Sequence, residues 1–380
     1  MSAATQIRAT PFHARTAASN PFNRWTTRNG FTLAQDFGDT QAEALAARAN
    51  VVLADISWRW RLFAEGAHAG DFLSRLMTKN VRTLEPGRSL KALWLNDAGA
   101  VRGAGVIARY SSEQFLLVSA AQDIAWVSEA ARQFSVSTRD ATEEAGGVAL
   151  IGPYSEAVLK AAGFEVDIPS LAFRKHFWRG LDVTLSRWGE QDGYEIWCNA
   201  DDCLILWDRL MRAGAPFGIR PTGISASDIL DVEAGVPRPG RDYRTATDGF
   251  ATIPSPESLG LDSLIDEGHL TFNGYAAWKD ARGSAITTLV AIEIDSETPA
   301  PFATLEHSGA VAGHTLTSVR SPTLRRAIAL AQVKKSLAVP GTELLLRLPM
   351  SLDNFEPHLV AARIMALPFV KPAAAPPSMQ

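Results

Sequence analysis

The tryptophans are the residues of this chain whose chemistry is most distinctive. Ten are present, and nine of them precede residue 208. An indole offers a broad, rigid face at a low cost in conformational entropy, so part of this set is suited to line a pocket for a flat ligand. Trp58, Arg59, Trp60 and Arg61 follow one another, and in an alternating strand the tryptophans would share one face and the arginines the other. The alternative is that the tryptophans fill the core and the arginines are solvated.

Length, charge and cysteine content exclude several classes of protein. A chain of 380 residues predicts two or three domains, and a net charge of −4 gives no electrostatic case for binding nucleic acid or acidic membranes. No stretch approaches the ~18 apolar residues of a transmembrane helix, and the N-terminus lacks the apolar segment of a secretory signal. The only cysteines, Cys198 and Cys203, do not form a C-x-x-C pair, and the seven histidines are scattered. We therefore expect no metal site and a cytoplasmic location.

The elements that would position the candidate residues occur in two rounds. In the first, helices are expected over residues 40–50, where Thr40 could act as the cap, 66–77 and 121–134, with strands over 51–56, 90–95, 101–108 and 114–118. The second begins with a strand over 148–151 and a helix after Pro153. It continues with strands over 181–186 and 194–198 and a helix from Asp201. Two split β–α–β units side by side would explain the repetition.

Turn-forming and apolar residues divide the chain into segments. Residues 1–39 are predicted to form an irregular N-terminal arm, and residues 40–260 the main domain. Residues 236–265 are rich in proline, glycine and aspartate and are predicted to form a linker. Strands over 288–294 and 343–348 with short turns predict a small β-barrel over residues 265–370, and the Ala/Pro-rich residues 371–380 predict a disordered tail.

Residues 187–242 carry a pattern that identifies a family. They read GYEI…LWD.L..AG…G..P.G..A.D.L..EAG.P..G.D between Gly193 and Asp242. This pattern resembles the folate-binding core of the aminomethyltransferase family, named for the T-protein of the glycine cleavage system. The segment G…TS…SPTL…IALA over residues 313–331 resembles the same family. The resemblance covers residues 40–370. It implies an α+β fold in three parts, with two split-β–α–β subdomains around a central pocket and a C-terminal β-barrel.

The resemblance also implies a site in which a one-carbon group moves to or from a nitrogen of tetrahydrofolate. Glu195 matches the family glutamate that hydrogen-bonds the edge of the pterin ring, and a carboxylate offers only acceptors to the N–H donors of that ring. The acidic residues that follow a glycine turn in the family fall on Gly103 and Ala104 here. Their absence removes the group best suited to proton handling at the folate nitrogen.

Other positions depart from the family pattern as well. Ser227 and Asp231 stand where the family has arginines, which weakens the case for an anionic folate tail. Lys91 stands where the family has an aromatic residue. A lysine in a pocket that has lost an acid would favour an anionic or phenolic substrate, or would act as a base of lowered pKa.

These departures predict a folate-independent carbon–carbon lyase that needs no cofactor. The resemblance to divergent relatives in aromatic-degrading bacteria, which include O-demethylases and lyases, implies that it would release formaldehyde or carbon dioxide from a phenolic, lignin-derived aromatic substrate. Such a step needs a base, an oxyanion stabiliser and an apolar slot. The predicted catalytic residues are Lys91, Arg187, Glu195 and Tyr243. The predicted substrate-binding residues are Trp58, Trp60, Trp94, Trp188 and Tyr194.

Two alternatives remain open from the sequence. The first is a tetrahydrofolate-dependent demethylase or aminomethyltransferase that holds the cofactor with different residues, and the retained Tyr194 and Glu195 support it. The second is a non-catalytic binding protein on the same scaffold, which the loss of the acid supports. Stoichiometric binding of tetrahydrofolate would separate the first alternative from the lyase. An exposed N-terminal arm is compatible with a homodimer.

Overall fold

The computed structural model describes residues 7–188, 193–245, 254–348 and 358–371. Its N-terminal segment, which we expected to be irregular, forms a three-stranded sheet in the order β1-β3-β2. The Asn29-Gly30 pair makes the two-residue turn between β2 and β3, because both residues adopt the positive φ that such a turn requires. The elements are β1 (Arg8–Ala9), α1 (His13–Ala18), β2 (Trp25–Arg28) and β3 (Phe31–Ala34).

The first half of the main domain is an antiparallel sheet covered on one face by two helices. Its strand order is β6-β7-β8-β5-β9, and α3 and α4 enclose an apolar core against it. Asp39, not Thr40, caps α2, because its carboxylate accepts from the N–H groups of Gln41 and Ala42. The elements are α2 (Thr40–Ala49), β4 (Val52–Asp55), β5 (Trp60–Glu65), α3 (Ala69–Leu76), β6 (Ser89–Leu95), β7 (Val101–Arg109), β8 (Gln114–Ser119), α4 (Ile124–Ala131) and β9 (Ser137–Asp140).

The second half is a six-stranded sheet in the order β11-β12-β13-β10-β4-β14. Helices α5 and α6 cover its outer face, and the inner face packs against the sheet of the first half. The two rounds are therefore interlocked, since β4 precedes the first sheet in the chain but pairs with β10 and β14. The elements are β10 (Ala145–Ile151), α5 (Ser155–Ala162), β11 (Phe173–Trp178), β12 (Leu181–Ser186), β13 (Gly193–Asn199), α6 (Cys203–Gly214), β14 (Arg220–Thr222) and α7 (Ile224–Glu233).

The C-terminal part is a closed six-stranded barrel in the order β15-β18-β17-β16-β19-β20. This confirms the predicted α+β fold with its C-terminal barrel. No helix in the described part of the chain has the length and apolar character needed to cross a bilayer. The predicted tail lies outside the described residues except for residue 371. The elements are α8 (Tyr275–Ala281), β15 (Thr287–Ile294), β16 (Thr304–His307), β17 (Ala310–Ser321), β18 (Arg326–Lys334), β19 (Glu343–Arg347) and β20 (Leu359–Met365).

A buried carboxylate joins the main domain to the barrel. Glu233, at the end of α7, is fully buried and accepts from the Arg48 guanidinium of α2 at 2.7 Å. Its second oxygen accepts from the Ser321 hydroxyl of β17 at 2.6 Å. The segment that we expected to be a linker also packs, since Tyr243, Leu259 and Ile265 belong to one apolar cluster. These contacts set the barrel and the segment before it against the sheets, where they close one side of the site.

Candidate functional site

Two adjoining cavities lie beside the inner faces of the two sheets, and we call them together the central cavity. The small cavity, of about 70 Å³, is bounded by β4, β10, β13 and α7. The large cavity, of about 330 Å³, is bounded by β6, β7, β8, the segment before the barrel, and the barrel itself. Both share the walls Arg59, Ala120, Glu195 and Arg238. A molecule that contacts Glu195 can therefore extend into either cavity.

Glu195 is the most distinctive group in the central cavity. Alternation along β13 turns Tyr194 into the core beneath α5 and α6, and it turns Glu195 to the inner face of the sheet. The Glu195 side chain is 4% exposed, and its Oε1 accepts from Arg59 Nη1 at 2.5 Å. Its Oε2 is buried and has no hydrogen-bond partner among the described residues. A buried acceptor without a donor costs roughly 1–3 kcal/mol, so this oxygen is presented to a ligand that carries N–H or O–H donors.

Arginine residues that the sequence reasoning did not select surround this carboxylate. Arg238 binds Asp231 through two hydrogen bonds of 2.6 and 2.8 Å, and Arg28 binds Asp228. Burial by itself would raise the pKa of Asp231. The charge and hydrogen bonds of Arg238, with the charge of Arg241, outweigh burial and hold that pKa below its usual range. Asp231 therefore stays ionised, and the cations missing from positions 227 and 231 are supplied from elsewhere in the chain.

Asp55 is a second carboxyl group of the small cavity that the sequence reasoning left without a role. Its Oδ2 accepts from the Thr10 hydroxyl at 2.5 Å, and its Oδ1 accepts from the Ser57 N–H at 3.0 Å. Burial raises the pKa of Asp55 above its usual range, against the effect of these hydrogen bonds. The segment Asp55-Ile56-Ser57 carries the carboxyl group in the sequence, but the contact from Thr10, 45 residues away, is a property of the folded arm.

The large cavity presents hydrogen-bond donors in an apolar setting. Lys91, Trp188 and Tyr243 line it together with Val106, Leu259 and Leu289. The Tyr243 hydroxyl and the Trp188 indole nitrogen are buried and have no hydrogen-bond partner among the described residues. Burial raises the pKa of Tyr243, so its hydroxyl is neutral and acts as a donor and not as a base. This cavity is suited to a small, mostly apolar molecule that carries an oxygen acceptor.

Arg187 and Tyr194 are two predicted site residues that lie outside the large cavity for reasons of strand geometry. Arg187 precedes Trp188 and points away from it, so that its guanidinium lies 5.5 Å from the centre of the Tyr194 ring and donates to the Ile168 carbonyl. Neither Arg187 nor the Tyr194 side chain shares the face of Glu195. Arg187 lines neither cavity, so its selection as a catalytic residue was wrong, whereas the role of Tyr194 in binding substrate stays a prediction. Tyr194 contributes to the small cavity only from the core side of β13.

The predicted tryptophan slot is also only partly formed. Trp58 lies in the turn before β5, packs against Phe31 and lines the small cavity, so it does not share a face with Trp60. Trp60 and Trp94 are buried in the core beneath α3 and α4 and do not line the central cavity. Their inclusion in the slot was wrong, because both rings point to the face of the first sheet that α3 and α4 cover.

Trp94 explains why the acid of the family pattern is absent. It pairs with Gly103 across β6 and β7, and its ring covers that glycine. A Cβ atom added at Gly103 would lie 2.3 Å from Trp94 Cε2. The indole N–H donates to Asp123 at 3.0 Å, and Asp123 also accepts two hydrogen bonds from Arg102. The acid therefore has no room at position 103.

Both parts of the chain match families of known proteins. Residues 10–252 match the family described as the GCVT N-terminal domain, and residues 288–371 match the glycine cleavage T-protein C-terminal barrel domain. An aminomethyltransferase of Geobacillus thermodenitrificans is 33% identical over 329 residues, which are 83% of this chain and 87% of that relative. This chain belongs to the aminomethyltransferase family. An aminomethyltransferase of Pseudothermotoga lettingae is 28% identical over 325 residues, 82% of this chain and 86% of that relative.

The fold of the family is also seen in a solved structure. Aminomethyltransferase T of the glycine cleavage system from Bartonella henselae superposes with a TM-score of 0.86 at 22% identity, over 98% of this chain and 100% of that one. Membership of the aminomethyltransferase family supports an enzyme of one-carbon transfer, and it gives no support to a carbon–carbon lyase. The expectation that no cofactor is used is wrong, because the relatives are aminomethyltransferases, which use tetrahydrofolate.

Proposed function

We propose that this chain transfers a one-carbon unit between a small-molecule donor and tetrahydrofolate. The observation that carries the proposal is the buried Glu195 carboxylate, whose Oε1 is bound by Arg59 and whose Oε2 has no partner among the described residues. Paired N–H donors on the edge of a pterin ring would satisfy such an acceptor. When bound, tetrahydrofolate supplies the nitrogen that takes or gives the one-carbon unit.

The protein residues would act mainly by orientation. Arg59 holds the Glu195 carboxylate in one position through a charge-assisted hydrogen bond of 2.5 Å. Arg238 and Arg28 are each bound to an aspartate, so they stiffen the wall of the small cavity and add little net charge. A rigid wall lowers the entropy lost when a ligand is ordered against it.

The donor of the one-carbon unit would lie in the large cavity. Its walls combine apolar side chains with the Trp188 N–H, the Tyr243 O–H and the Lys91 ammonium. We propose a small aromatic or similarly apolar donor that carries a phenolic or carboxylate oxygen, and we assign proton handling at this oxygen to Lys91. In the described part of the chain, the carboxylates that line the central cavity are Asp55, Glu195 and Asp231.

The test is a calorimetric titration with tetrahydrofolate of the wild type, Glu195→Gln and a control. We expect the wild type to bind one equivalent in the micromolar range. Glu195→Gln replaces a charged acceptor by an amide that presents N–H donors to the ligand, so affinity should fall about 10- to 100-fold. Glu113→Gln removes an exposed carboxylate far from the cavity and should bind as the wild type does.

Two outcomes would reject the proposal. One is the absence of tetrahydrofolate binding at millimolar concentration in protein that is folded by circular dichroism. The other is equal affinity of Glu195→Gln and the wild type. If binding is confirmed, phenolic methyl ethers should be screened as donors by following the formation of methylated tetrahydrofolate. Lys91→Met should then lower turnover without lowering the affinity for tetrahydrofolate.

A further inference from the structure

We propose that this chain has a second binding site, separate from the central cavity, for a small planar monocarboxylate. The site is a groove of about 480 Å³ between strand β5 of the first sheet and strands β11, β12 and β13 of the second, and we call it the outer groove. Among the described residues, none that lines the outer groove also lines the central cavity. Glu195 and Trp197 lie on the same face of β13, and each faces one of the two sites.

A buried arginine without an acidic partner marks the outer groove. Arg61 is 6% exposed, and its guanidinium lies 4.7 Å from the centre of the Trp197 ring. No carboxylate or carbonyl group of the described residues accepts a hydrogen bond from this guanidinium, and its Nε is buried. Glu144, which also lines the groove, is bound by Arg139. A buried cation is normally paired with an acid, so Arg61 has a fork of donors available for an anion.

The walls of the outer groove favour a flat apolar group beside that anion. Lys175 Nζ lies 4.5 Å from the centre of the Tyr110 ring, and Phe63 and Trp197 complete the aromatic lining. Phe177 stands at the rim and is 79% exposed, although it is a large apolar side chain. The Trp197 indole N–H is buried without a partner among the described residues, which adds a second donor. Stacking against these rings would add affinity to the charge of Arg61 and Lys175.

The groove is better suited to a monoanion than to a phosphate dianion. Glu144 and Asp182 line it together with the two cations, so a doubled ligand charge doubles both the attraction and the repulsion. The cost of removing an ion from water rises with the square of its charge, and this cost favours the monoanion. Burial raises the pKa of Tyr110, so this phenol is neutral and does not repel either ligand. A carboxylate also matches the planar fork of an arginine through two parallel hydrogen bonds.

The experiment is a fluorine NMR titration of the full chain with 4-fluorobenzoate. Arg61→Met and Lys175→Met each remove one cation from the groove while they keep the length of the side chain. Arg61→Lys keeps the charge but not the planar fork, and it serves if Arg61→Met does not fold. Lys160→Met is the matched control, since Lys160 pairs with Glu156 on the exposed face of α5. Benzamide and phenyl phosphate test the charge of the ligand.

The expected result is saturable binding to one site that is about tenfold weaker in Arg61→Met and Lys175→Met and unchanged in Lys160→Met. Benzamide and phenyl phosphate should bind more weakly than 4-fluorobenzoate. The affinity for tetrahydrofolate should not change in Arg61→Met, so this result does not depend on the proposed function. The proposal is overturned if the wild type shows no saturable binding, or if neither Arg61 nor Lys175 affects it. Displacement of 4-fluorobenzoate by tetrahydrofolate would place it in the central cavity and would also overturn the proposal, as would tighter binding of phenyl phosphate.

Discussion

Gly103→Ala is a small substitution that we expect to be strongly destabilising. Gly103 does not have a positive φ, so alanine costs nothing in backbone conformation. The cost is steric, because the added Cβ would lie 2.3 Å from Trp94 Cε2 and Cζ2 and 2.6 Å from Nε1. Carbon atoms in contact normally lie about 3.5–4.0 Å apart, so the indole would have to move by more than 1 Å. Trp94 is fully buried and bonded to Asp123 at 3.0 Å, which leaves it no room to move.

These contacts determine the expected loss in the free energy of unfolding. Overpacking of a dense core costs about 1–3 kcal/mol, and loss of the Trp94–Asp123 hydrogen bond would add about 1 kcal/mol. We therefore expect Gly103→Ala to lower the free energy of unfolding by about 2–4 kcal/mol. The matched control is Gly70→Ala in α3, where the new Cβ would meet Phe115 at 3.5 Å, an ordinary contact. In a helix this change should stabilise the protein by about 0.5–1 kcal/mol.

The assay is thermal and urea unfolding of the wild type, the two glycine variants and a double mutant, followed by circular dichroism. Replacing the indole by a smaller side chain should relieve the clash, so Gly103→Ala should cost at most half as much in a Trp94→Leu background as in the wild type. If Gly103→Ala unfolds with the same free energy as the wild type, the reasoning is refuted. The reasoning also fails if the penalty is the same in both backgrounds, since the clash would then not involve Trp94.

Three further predictions concern the central cavity. Arg59→Met should destabilise the protein by about 3 kcal/mol, because it leaves a buried carboxylate unpaired. The double variant with Glu195→Gln should recover stability, and urea unfolding would show whether it does. Burial raises the pKa of Asp55, so the folded chain binds that proton more tightly than the unfolded chain. The resulting stabilisation is present below the unfolded pKa of about 3.9 and is lost as pH rises through the raised value. Asp55→Asn should remove this pH dependence of stability, which melting temperatures measured from acid to neutral pH would show. A fall as steep in the variant as in the wild type would contradict the assignment. Thr10→Val should cost about 1 kcal/mol and raise the pKa of Asp55 further, which carboxyl NMR titration would detect.

The fold could largely be predicted from sequence patterns. The strand predicted over 194–198 is β13, and strand alternation places Glu195 on its inner face. In the arm that was predicted to be irregular, the strands on either side of Asn29-Gly30 were missed because each spans only four residues. These features depend on neighbours in the chain, for which periodicity and turn chemistry are sufficient.

The composition of the site was predicted less well. Departures at Gly103 and Lys91 suggested that the folate chemistry had been lost, but the arginines that support the cavity were already present as Arg59 and Arg238. Arg59 belongs to the run Arg59-Trp60-Arg61. The sequence left open that these arginines are solvated, because no local signal connects Arg59 to Glu195. The residue type of Trp94 suited a ligand-binding role, but the structure places its side chain in the apolar core.

The sequence by itself determined the family, the barrel and most of the elements of the main domain. Only the tertiary structure decided which charges meet. Arg59 and Glu195 are 136 residues apart in the chain, and Asp55 is reached by Thr10 from a separate sheet. Such contacts depend on how two sheets and an N-terminal segment pack together, and their geometry is set by the core volume between them. Local periodicity carries no information about that packing. Only the folded chain therefore shows which oxygen of Glu195 is hydrogen-bonded and which has no partner among the described residues.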